Sequence, residues 1–574
     1  MATIAPAVRI SERPSILARH FAAASGHYLA TEAAMRILRQ GGNAIDAGVA
    51  AGICIDVLLP DLCNFGGVAP IIVYHRESGD LVSISGLGYW GRATDRERFI
   101  NEEGGQIPVG AKRSVVPGAP DAWLTALARY GKLTFSEVVK PALELAEGGF
   151  VVYPSLARNL GQAAEQLAQW PSSAAIFLVN GKVRPAGKVL KQTDLANTFR
   201  RMMQAEGRAG GGRVAGIEAA RDEFYKGDIG KQIAEFIQSE GGTVGEEDLA
   251  DFHSTIEEPP HVTYKGVDVF VCGPWCQGPV LAETLNILSA YDLPEMGHNS
   301  PDYIHIVTEA LNLAFADREH YYGDPEHVYV PLDRLLSSTH AAKRRELIDP
   351  QRAFGRMPEP GLPDTPASAR AERQTVPLHQ QDTSYVCVVD EEGNAFSATP
   401  SDGVGSTPIV PGLGLICSGR GSQSWLEPDH PSAVAPRKRP RLTPNPAMAF
   451  KDGRLLMPFG TPGGDMQSQS MLQTFLNIVE FGMDVQQAVE APRFGTFSFP
   501  NSFWPHEYEP GKLRLEGRIP REVGDDLAAR GHDVEWWPDW TRIAGNMCVV
   551  LVDHDEGTLT AGADARAEAY AAGW

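Results

Sequence analysis

A change of sequence character at Asp382–Thr383 constrains this chain more than any other feature. The preceding segment, "GRMPEPGLPDTPASARAERQTVPLHQQD" (355–382), is rich in proline and charge and has no apolar period. This composition predicts a mobile surface linker. Immediately afterwards, "TSYVCVVD" (383–390) alternates in the manner of a half-buried strand. We therefore expect two regions, 1–382 and 383–574, to meet at this point.

The residues after the boundary predict a β-hairpin. "TSYVCVVD" is followed by "EEGN", a turn signal, and then by "AFSATPSDG", which would run back alongside it. Pairing Glu391 with Asn394 would place Thr383 opposite Asp402, with Ser401 beside it. Cross-strand neighbours lie roughly 5 Å apart at Cβ. Polar groups of Ser401 and Asp402 should therefore surround the threonine.

A threonine in this position has two interpretations. Threonine is common in strands because its branched side chain suits them, so the residue could be purely structural. A threonine at a new chain N-terminus, however, carries its own base, since a free α-amine with a pKa of about 7.7–8.0 can take the hydroxyl proton during attack on a carbonyl. Inside a chain the same nitrogen is an amide. Catalysis by Thr383 would thus require cleavage between Asp382 and Thr383.

Composition excludes several function classes. The chain has 574 residues, enough for more than one core, and a formal net charge of −21. Lys/Arg-rich runs are absent from the sequence, so we expect no nucleic-acid partner. The N-terminal stretch lacks an apolar run of signal-peptide length, and no run could span a bilayer. The sequence therefore predicts a cytoplasmic protein without a membrane partner.

The sequence offers little support for a metal site. Its seven cysteines are an odd number and thinly scattered, which favours reduced, buried thiols, and the close pair Cys272 and Cys276 has no further ligands nearby. His305 and Glu309 have i, i+4 spacing on a predicted helix that Ser300 caps and Pro301 opens. We interpret them as a polar pair on the helix surface. No metal or other cofactor is expected.

Several motifs, taken together and in order, resemble one family over nearly the whole chain. They are "ATEAAMRILRQGGNAIDAGVAAG", "VVPGAPDAW…YGKL…PALELAEGGF", "EFYKGDIGKQIA", "ALNLAFADREHYYGDP", "TSYVCVVDEEGNAFS", "APRKRPRLTPNPAM", "FGTPGGDMQSQ" and "EAPRF". The chain resembles the γ-glutamyltranspeptidases among the N-terminal nucleophile hydrolases. The resemblance implies an α+β fold, a four-layer αββα sandwich, and a precursor that cuts itself into a large subunit (1–382) and a small one (383–574). Whether two such heterodimers associate stays open.

The resemblance also implies roles for particular residues. Thr383 would be both the self-cleaving residue and the nucleophile. Ser401 matches a family threonine that hydrogen-bonds the nucleophile, a position that the hairpin pairing also indicates. Gly463 and Gly464 match the backbone amides of the family's oxyanion hole, and glycine allows the close approach that such amides need.

At the expected substrate pocket the chain departs from the family. Leu87 stands where the family has the arginine that binds the γ-glutamyl carboxylate, and Gln423 stands at the aspartate that binds the amine. Thr443, with Leu442, replaces a pair of serines. Arg420 replaces a neutral residue and would either bind an anionic or strongly polar substrate group or form a structural salt bridge. The segment 423–437 is shorter than the family's lid loop.

These features predict a self-processing amidohydrolase that cleaves a small acyl amide through an acyl-enzyme. Because both charged anchors for a γ-glutamyl group are missing, we expect a different acyl group, as in the cephalosporin-acylase-like branch. Two alternatives remain at this point. One is a genuine γ-glutamyltransferase or glutathione hydrolase. The other is an unprocessed, non-catalytic binding or scaffold protein.

Overall fold

A computed structural model describes residues 11–362 and 382–574 of the chain. The helices in these ranges are α1 (Tyr28–Arg39), α2 (Ala44–Leu58), α3 (Arg96–Asn101), α4 (Ala119–Tyr130), α5 (Phe135–Gly148), α6 (Pro154–Gln162), α7 (Ala164–Ala168), α8 (Pro171–Phe177), α9 (Thr193–Arg208), α10 (Arg213–Tyr225), α11 (Asp228–Ser239), α12 (Glu246–Ala250), α13 (Gly278–Leu288), α14 (Leu293–Met296), α15 (Pro301–Tyr321), α16 (Leu332–Leu335), α17 (Ser338–Arg345), α18 (Met466–Val479), α19 (Val485–Glu490) and α20 (Arg521–Ala529). Short 3₁₀ turns lie at Ala111–Arg113, Arg420–Gln423 and Arg542–Ala544.

The strands are β1 (Ile16–Ala18), β2 (Ala22–Ser25), β3 (Ile71–His75), β4 (Asp80–Ile84), β5 (Phe150–Val151), β6 (Leu178–Val179), β7 (Lys182–Val183), β8 (Val189–Leu190), β9 (Ile256–Glu257), β10 (His261–Tyr264), β11 (Val267–Val271), β12 (Val386–Val389), β13 (Ala395–Ala398), β14 (Ala447–Lys451), β15 (Arg454–Gly460), β16 (Phe494–Thr496), β17 (Lys512–Glu516), β18 (Asp533–Trp537), β19 (Cys548–Asp553), β20 (Thr558–Ala563) and β21 (Tyr570–Gly573).

Two seven-stranded sheets, counted over the described ranges, form the middle of the fold. One has the strand order β21-β2-β12-β13-β3-β4-β9, and the other has the order β1-β20-β19-β15-β14-β11-β10. The two sheets face each other through contacts of β12 and β13 with β15 and of β12 with β19. Helices α1 and α2 cover the outer face of the first sheet, and α13 and α19 cover that of the second. The result is the four-layer αββα sandwich that the sequence predicts.

Successive side chains along β12 point alternately into two different hydrophobic cores. Val386 and Val388 point to the core under α1 and α2, whereas Tyr385 and Cys387 point between the two sheets. Successive side chains of a strand face opposite sides, so a residue two positions before Tyr385 continues the series that faces the second sheet. Thr383 occupies that position. A third core lies beneath α13, α15 and α18 on the far side of the second sheet.

The hairpin forms where the sequence predicts it, but its pairing is shifted by one residue. Val389 pairs with Ala395 and Val386 pairs with Ala398, a pattern that brings Ser401, rather than Asp402, opposite Thr383. The expectation of Glu391 opposite Asn394 is therefore wrong. The reason is a longer loop: the amide of Gly393, at φ +83°, donates to the carbonyl of Asp390, which adds a left-handed residue to the turn.

Helix boundaries follow the local signals closely. Ser300 caps α15, accepting a hydrogen bond from the Tyr303 amide, and Pro301 is its first residue. The helix is much more deeply buried than its sequence suggests, however. His305 and Glu309 are 0% and 1% exposed, so the interpretation as a surface pair is wrong. Both pack against the C-terminal part of the chain, where His305 Nδ1 lies 2.8 Å from His532 Nε2.

The predicted linker is only partly within the described residues. Its first part, up to Leu362, is held against α15: the Tyr321 hydroxyl donates to the Leu362 carbonyl at 2.9 Å, and the Gly361 amide donates to Asp317 Oδ1 at 2.5 Å. The prediction of mobility for 363–381 falls outside the described residues. Asp382, at the far end, is held in the site described below.

All seven cysteines are free thiols in buried positions, as their scattered spacing predicts. Among the described helices, none is both long enough and apolar enough to cross a bilayer.

The hairpin turn generates a stability prediction at Gly393. Replacing Gly393 with valine should destabilise the protein by about 1–2 kcal/mol, because a β-branched residue strongly disfavours the left-handed conformation of this position. Gly393→Asn is the matched control, since asparagine tolerates that conformation and adds a Cβ against the same Arg76 side chain. Urea unfolding followed by circular dichroism measures the difference. Equal midpoints for the two variants would show that the turn conformation does not stabilise the hairpin.

Candidate active site

Thr383 lies at the end of the central hairpin, immediately before β12, with 1% of its surface exposed. Its hydroxyl is 2.8 Å from the hydroxyl of Ser401. The amide of Ser384 donates to the carbonyl of Pro400 at 2.9 Å, which continues the hairpin pairing up to the two hydroxyls. Ser401 in turn pairs with Val68 of the first region. Backbone pairing on both sides thus fixes Ser401 beside Thr383.

The carbonyl oxygen of Asp382, which belongs to the peptide bond preceding Thr383, collects three donors. The Thr383 hydroxyl donates to it, the Ser401 hydroxyl donates at 2.5 Å, and the Arg420 guanidinium approaches at 3.4 Å. Hydrogen bonds to a carbonyl oxygen stabilise the negative charge that develops there when a nucleophile adds to its carbon. The group poised to add is the hydroxyl of Thr383.

The side chain of Asp382 is also bound. Its Oδ1 receives a hydrogen bond from Arg420 Nη2 at 3.0 Å, and its Oδ2 receives one from the Gly403 amide at 3.1 Å. Burial raises the pKa of Asp382 to about 6, although the neighbouring Arg420 charge acts in the opposite direction. Arg420 therefore forms an ion pair with the residue that precedes Thr383.

Arg420 begins the 3₁₀ turn Arg420–Gln423 and is 1% exposed. Its guanidinium carbon lies 5.3 Å from the centre of the Phe503 ring, and the same guanidinium donates to the Ser401 hydroxyl. A buried arginine needs partners for its donors, since an uncompensated buried charge is strongly destabilising. One residue thus connects the Ser401 hydroxyl, the Asp382 carbonyl and the Asp382 carboxylate.

Asp402 is a second carboxylate close to Arg420, and other groups already donate hydrogen bonds to both of its oxygens. Its Oδ2 accepts hydrogen bonds from the Ser418 hydroxyl at 2.6 Å and the Gly419 amide at 2.8 Å, and its Oδ1 accepts one from the Ser406 hydroxyl at 2.8 Å. Arg420 Nε is 3.9 Å away from it. The residue has φ +96°, a conformation that this set of bonds holds. Asp402 therefore shapes the loop rather than serving as the main partner of Arg420.

A cavity of about 240 Å³ opens beside this cluster. Residues from both regions of the chain line it, including Arg113, Asp382, Gly403, Ser406, Arg420 and Phe503. Its charged lining consists of Arg113 and Arg420 together with Asp61, Asp382 and Asp402. Of the two arginines, Arg420 is the one that contacts Ser401 and Asp382 directly.

Gly463 and Gly464 lie on the loop between β15 and α18, with φ values of +133° and +56°. Within the described residues, neither backbone amide donates a hydrogen bond to a protein acceptor. Both precede the first turn of α18, where backbone N–H groups and the helix dipole favour negative charge. Just before the loop, Gly460 packs against the ring of Tyr385, two residues from Thr383.

Two residues that hold this loop were missed in the sequence. Gln277 donates from Nε2 to the carbonyls of Gly464, at 2.8 Å, and Thr443, at 3.0 Å. Arg318 of α15 donates to Gln277 Oε1 at 3.1 Å and pairs with Asp465 at 2.5 Å. An arginine within the apolar stripe of "ALNLAFADREHYY" is the signal that could have pointed to this support.

The remaining predicted residues divide into two groups. Gln423 and Thr443 are brought together, because Gln423 Nε2 donates to Thr443 Oγ1 at 3.1 Å. Gln423 Oε1 has no partner among the described residues. Leu87 is not part of this cluster, since it packs in the core between the sheets and is 1% exposed. Its predicted role at the substrate remains a prediction.

Two buried groups elsewhere have the residue types of metal ligands. They are His305, Glu309 and His532, and Glu283, Asp317 and His340. In both groups the side chains bond to one another and to the backbone: His305 Nε2 lies 2.8 Å from the Asp349 carbonyl, and His340 Nε2 lies 3.1 Å from Asp317. They tie α15 to the elements that cover it. Neither group contacts the Thr383 cluster.

Comparisons with known proteins agree with this architecture. The Gamma-glutamyltranspeptidase family model matches residues 30–574. The chain is 32% identical to the glutathione hydrolase-like YwrD proenzyme of Bacillus subtilis (strain 168), covering 96% of this chain and 97% of the relative. It is 34% identical to the acylase ACY 1 proenzyme of Pseudomonas sp. (strain SE83), covering 95% and 92%. The crystal structure of cephalosporin acylase from Bacillus halodurans superposes with a TM-score of 0.86 at 28% identity, covering 100% of this chain and 99% of that one.

Both curated relatives are proenzymes, and their names describe hydrolases of amide bonds. The family and the fold predicted from the sequence are thereby confirmed. A family match over residues 30–574, together with relatives of more than 30% identity along almost the whole chain, decides the assignment. This protein belongs to the γ-glutamyltranspeptidase family of self-processing N-terminal nucleophile amidohydrolases, and it is a hydrolase acting on amide bonds.

Proposed function

We propose that the protein matures by cleavage between Asp382 and Thr383 and then hydrolyses a small amide whose acyl part carries a negative group and is not γ-glutamyl. The observation that carries this proposal is the contact of Arg420 with the Thr383 site. Its guanidinium holds a carboxylate at 3.0 Å and lies 3.4 Å from the carbonyl oxygen next to the nucleophile. An acyl group with its own carboxylate can use the same two positions.

Maturation begins with addition of the Thr383 hydroxyl oxygen to the carbonyl carbon of Asp382. The hydroxyl of Ser401 and the guanidinium of Arg420 stabilise the oxygen that becomes negative. The bond between that carbon and the Thr383 nitrogen then breaks, and the nitrogen takes up the hydroxyl proton. Water hydrolyses the resulting ester, which leaves Thr383 with a free amine and residue 382 with a carboxyl end.

Turnover repeats this sequence of bond changes on an external amide. The free amine of Thr383 accepts the proton of its own hydroxyl while the oxygen attacks the substrate carbonyl. The Ser401 hydroxyl and the Arg420 guanidinium hold the substrate carbonyl oxygen as they hold that of Asp382, and the amides of Gly463 and Gly464, which have no acceptor among the described residues, complete the oxyanion site. The amine then protonates the departing nitrogen, and water releases the acid from the acyl-enzyme.

Three features argue against a γ-glutamyl substrate. Such a group carries a carboxylate and an ammonium on one carbon, and the site would need an acidic partner for the ammonium. Gln423, at the position of the family's aspartate, is neutral and is bonded to Thr443. Asp402 is occupied by three other donors. Leu87, at the position of the family's arginine, is packed in the core.

The maturation proposal predicts a defined fragment. The purified wild-type protein should contain a chain that starts at Thr383 and has 192 residues, the difference between 574 and 382. Thr383→Ala should remain a single chain, because it lacks the attacking oxygen. Intact-mass spectrometry and a denaturing gel measure both results. Thr399→Ala is the matched control, since Thr399 is a buried hairpin threonine whose hydroxyl has no partner among the described residues.

Loss of the fragment in both threonine variants would indicate a general folding defect. A wild-type protein that hydrolyses amides as an uncut chain of 574 residues would contradict the mechanism. An uncut, inactive wild type would instead support the binding or scaffold alternative.

The substrate proposal predicts discrimination between two anilides that differ by one ammonium group. The glutaryl p-nitroanilide should have a kcat/KM at least about 10-fold higher than the γ-glutamyl p-nitroanilide, because the neutral Gln423 stands where the family has the acidic partner of the ammonium group. Release of p-nitroaniline from the matured enzyme measures both rates. An equal or higher rate for the γ-glutamyl compound would overturn the assignment and favour the glutathione hydrolase alternative.

A further inference from the structure

The contacts of Asp382 define two positions, a carboxylate position at Arg420 and Gly403 and a carbonyl position at Ser401. Together they indicate the length of the acyl group as well as the sign of its charge. The carboxylate of Asp382 is held at both oxygens, by Arg420 at 3.0 Å and by the Gly403 amide at 3.1 Å. Its carbonyl is held at the same time by Ser401 at 2.5 Å. Two groups of one residue are thus fixed relative to each other and to Thr383.

The chemistry of maturation makes this residue equivalent to a substrate. Its first product is an ester between the acyl group of Asp382 and the oxygen of Thr383, formed as the peptide C–N bond breaks and the nitrogen gains a proton. The acyl-enzyme of turnover is an ester at that same oxygen. In the uncut chain, the acyl group of Asp382 therefore occupies the position that the acyl group of a substrate would take. This step rests on the function proposed above.

We propose that the acyl pocket is specific for succinyl-type groups, in which a carboxylate is separated from the reacting carbonyl by two carbons. That spacing is the spacing within Asp382, where Cα and Cβ lie between the backbone carbonyl and the side-chain carboxylate. The substrates are accordingly monoamides of succinic acid or of its derivatives substituted next to the reacting carbonyl.

When residue 382 leaves after cleavage, the carboxylate position at Arg420 and Gly403 is free to bind another carboxylate. Arg420 is 1% exposed, and its Nε already has no hydrogen-bond partner among the described residues. Asp402 cannot replace the lost carboxylate, since its oxygens accept hydrogen bonds from Ser406, Ser418 and Gly419. A buried guanidinium that has lost its partner binds a carboxylate strongly when one fits the geometry.

Close packing fixes the distance between the carboxylate position and the carbonyl position. A Cβ on Gly403 would come within 2.2 Å of the Asp61 carbonyl oxygen, so this loop lies directly on the first region. At the other end, backbone pairing of Ser401 with Val68 fixes the hydroxyl that binds the carbonyl. One carbon more or less changes the span by roughly 1 Å, and each bond is about 1.5 Å long. Malonyl and glutaryl groups should therefore fit the carboxylate position or the carbonyl position, but not both at once.

The test is a series of p-nitroanilides assayed with the matured wild-type enzyme. The acyl groups are malonyl, succinyl and glutaryl, with butyryl as the matched control, since it has a methyl group in place of the succinyl carboxylate. We expect kcat/KM for succinyl to exceed that for malonyl and glutaryl by about 10-fold or more, the usual effect of one methylene. It should exceed that for butyryl by about 100-fold, because butyryl cannot replace the carboxylate that Asp382 places 3.0 Å from the buried Arg420 guanidinium.

A glutaryl or malonyl rate equal to the succinyl rate would overturn the spacing rule. A butyryl rate equal to the succinyl rate would show that the pocket does not bind a substrate carboxylate at Arg420 and Gly403. Both results would leave maturation and amide hydrolysis in place, so they are distinct from failure of the proposed function, which would appear as the absence of the 192-residue fragment.

A second measurement needs no variant. Succinate should inhibit the matured enzyme competitively, with an inhibition constant about 10-fold below those of malonate and glutarate. In Arg420→Lys the succinyl preference over butyryl should shrink, mainly through KM, because an ammonium cannot reproduce the planar fork of a guanidinium. If Arg420→Lys does not mature, the inhibition series in the wild type decides alone, and equal constants for the three diacids would reject the inference.

Discussion

The antiparallel pairing of β12 with β13 is the constraint on which the site depends. It places the hydroxyls of Thr383 and Ser401 2.8 Å apart and aims the threonine side of the strand at the second sheet. A slip by one residue would turn each side chain of a strand to its opposite face. Tyr385 would then leave Gly460 and enter the core beneath the helices.

Buried charge is the second element that the site requires. Arg420 links the hairpin to Asp382, and Arg318 links the loop of Gly464 to α15 through Gln277 and Asp465. Each guanidinium is almost completely buried, so each must find acceptors in fixed positions. The two arginines stabilise segments outside the regular strands. Asp382 precedes β12 of the first sheet, and Gly464 and Asp465 follow β15 of the second sheet. Rigid support of this kind preserves the geometry that catalysis needs.

Local sequence signals predicted a large part of this molecule. Helix caps, the hairpin, the four-layer fold and the proximity of Thr383 to Ser401 follow from periodicity, turn residues and family motifs. The hairpin pairing was wrong by one residue because "EEGN" can form either a two-residue turn or a longer loop, and the conformation of Gly393 decides between them. His305 and Glu309 were wrongly placed on a surface because the C-terminal part of the chain, including His532, covers them. Tertiary contacts of this kind leave no local trace. The same reason explains why Gln277 was missed and why Asp382 was not recognised as the partner of Arg420.

In the maturation proposed above, the ion pair between Asp382 and Arg420 also determines when the enzyme can work. A carboxylate attached to the same chain faces its partner at an effective concentration in the millimolar range or above, whatever the supply of free acids. Under the proposed maturation, the newly made chain carries its own competitive inhibitor in the Asp382 side chain, covalently attached and correctly oriented. Removal of that inhibitor uses the nucleophile that it blocks, so only a correctly folded molecule can become active. Hydrolysis of the proposed ester would make the step irreversible, so that each molecule would pass once from latency to activity.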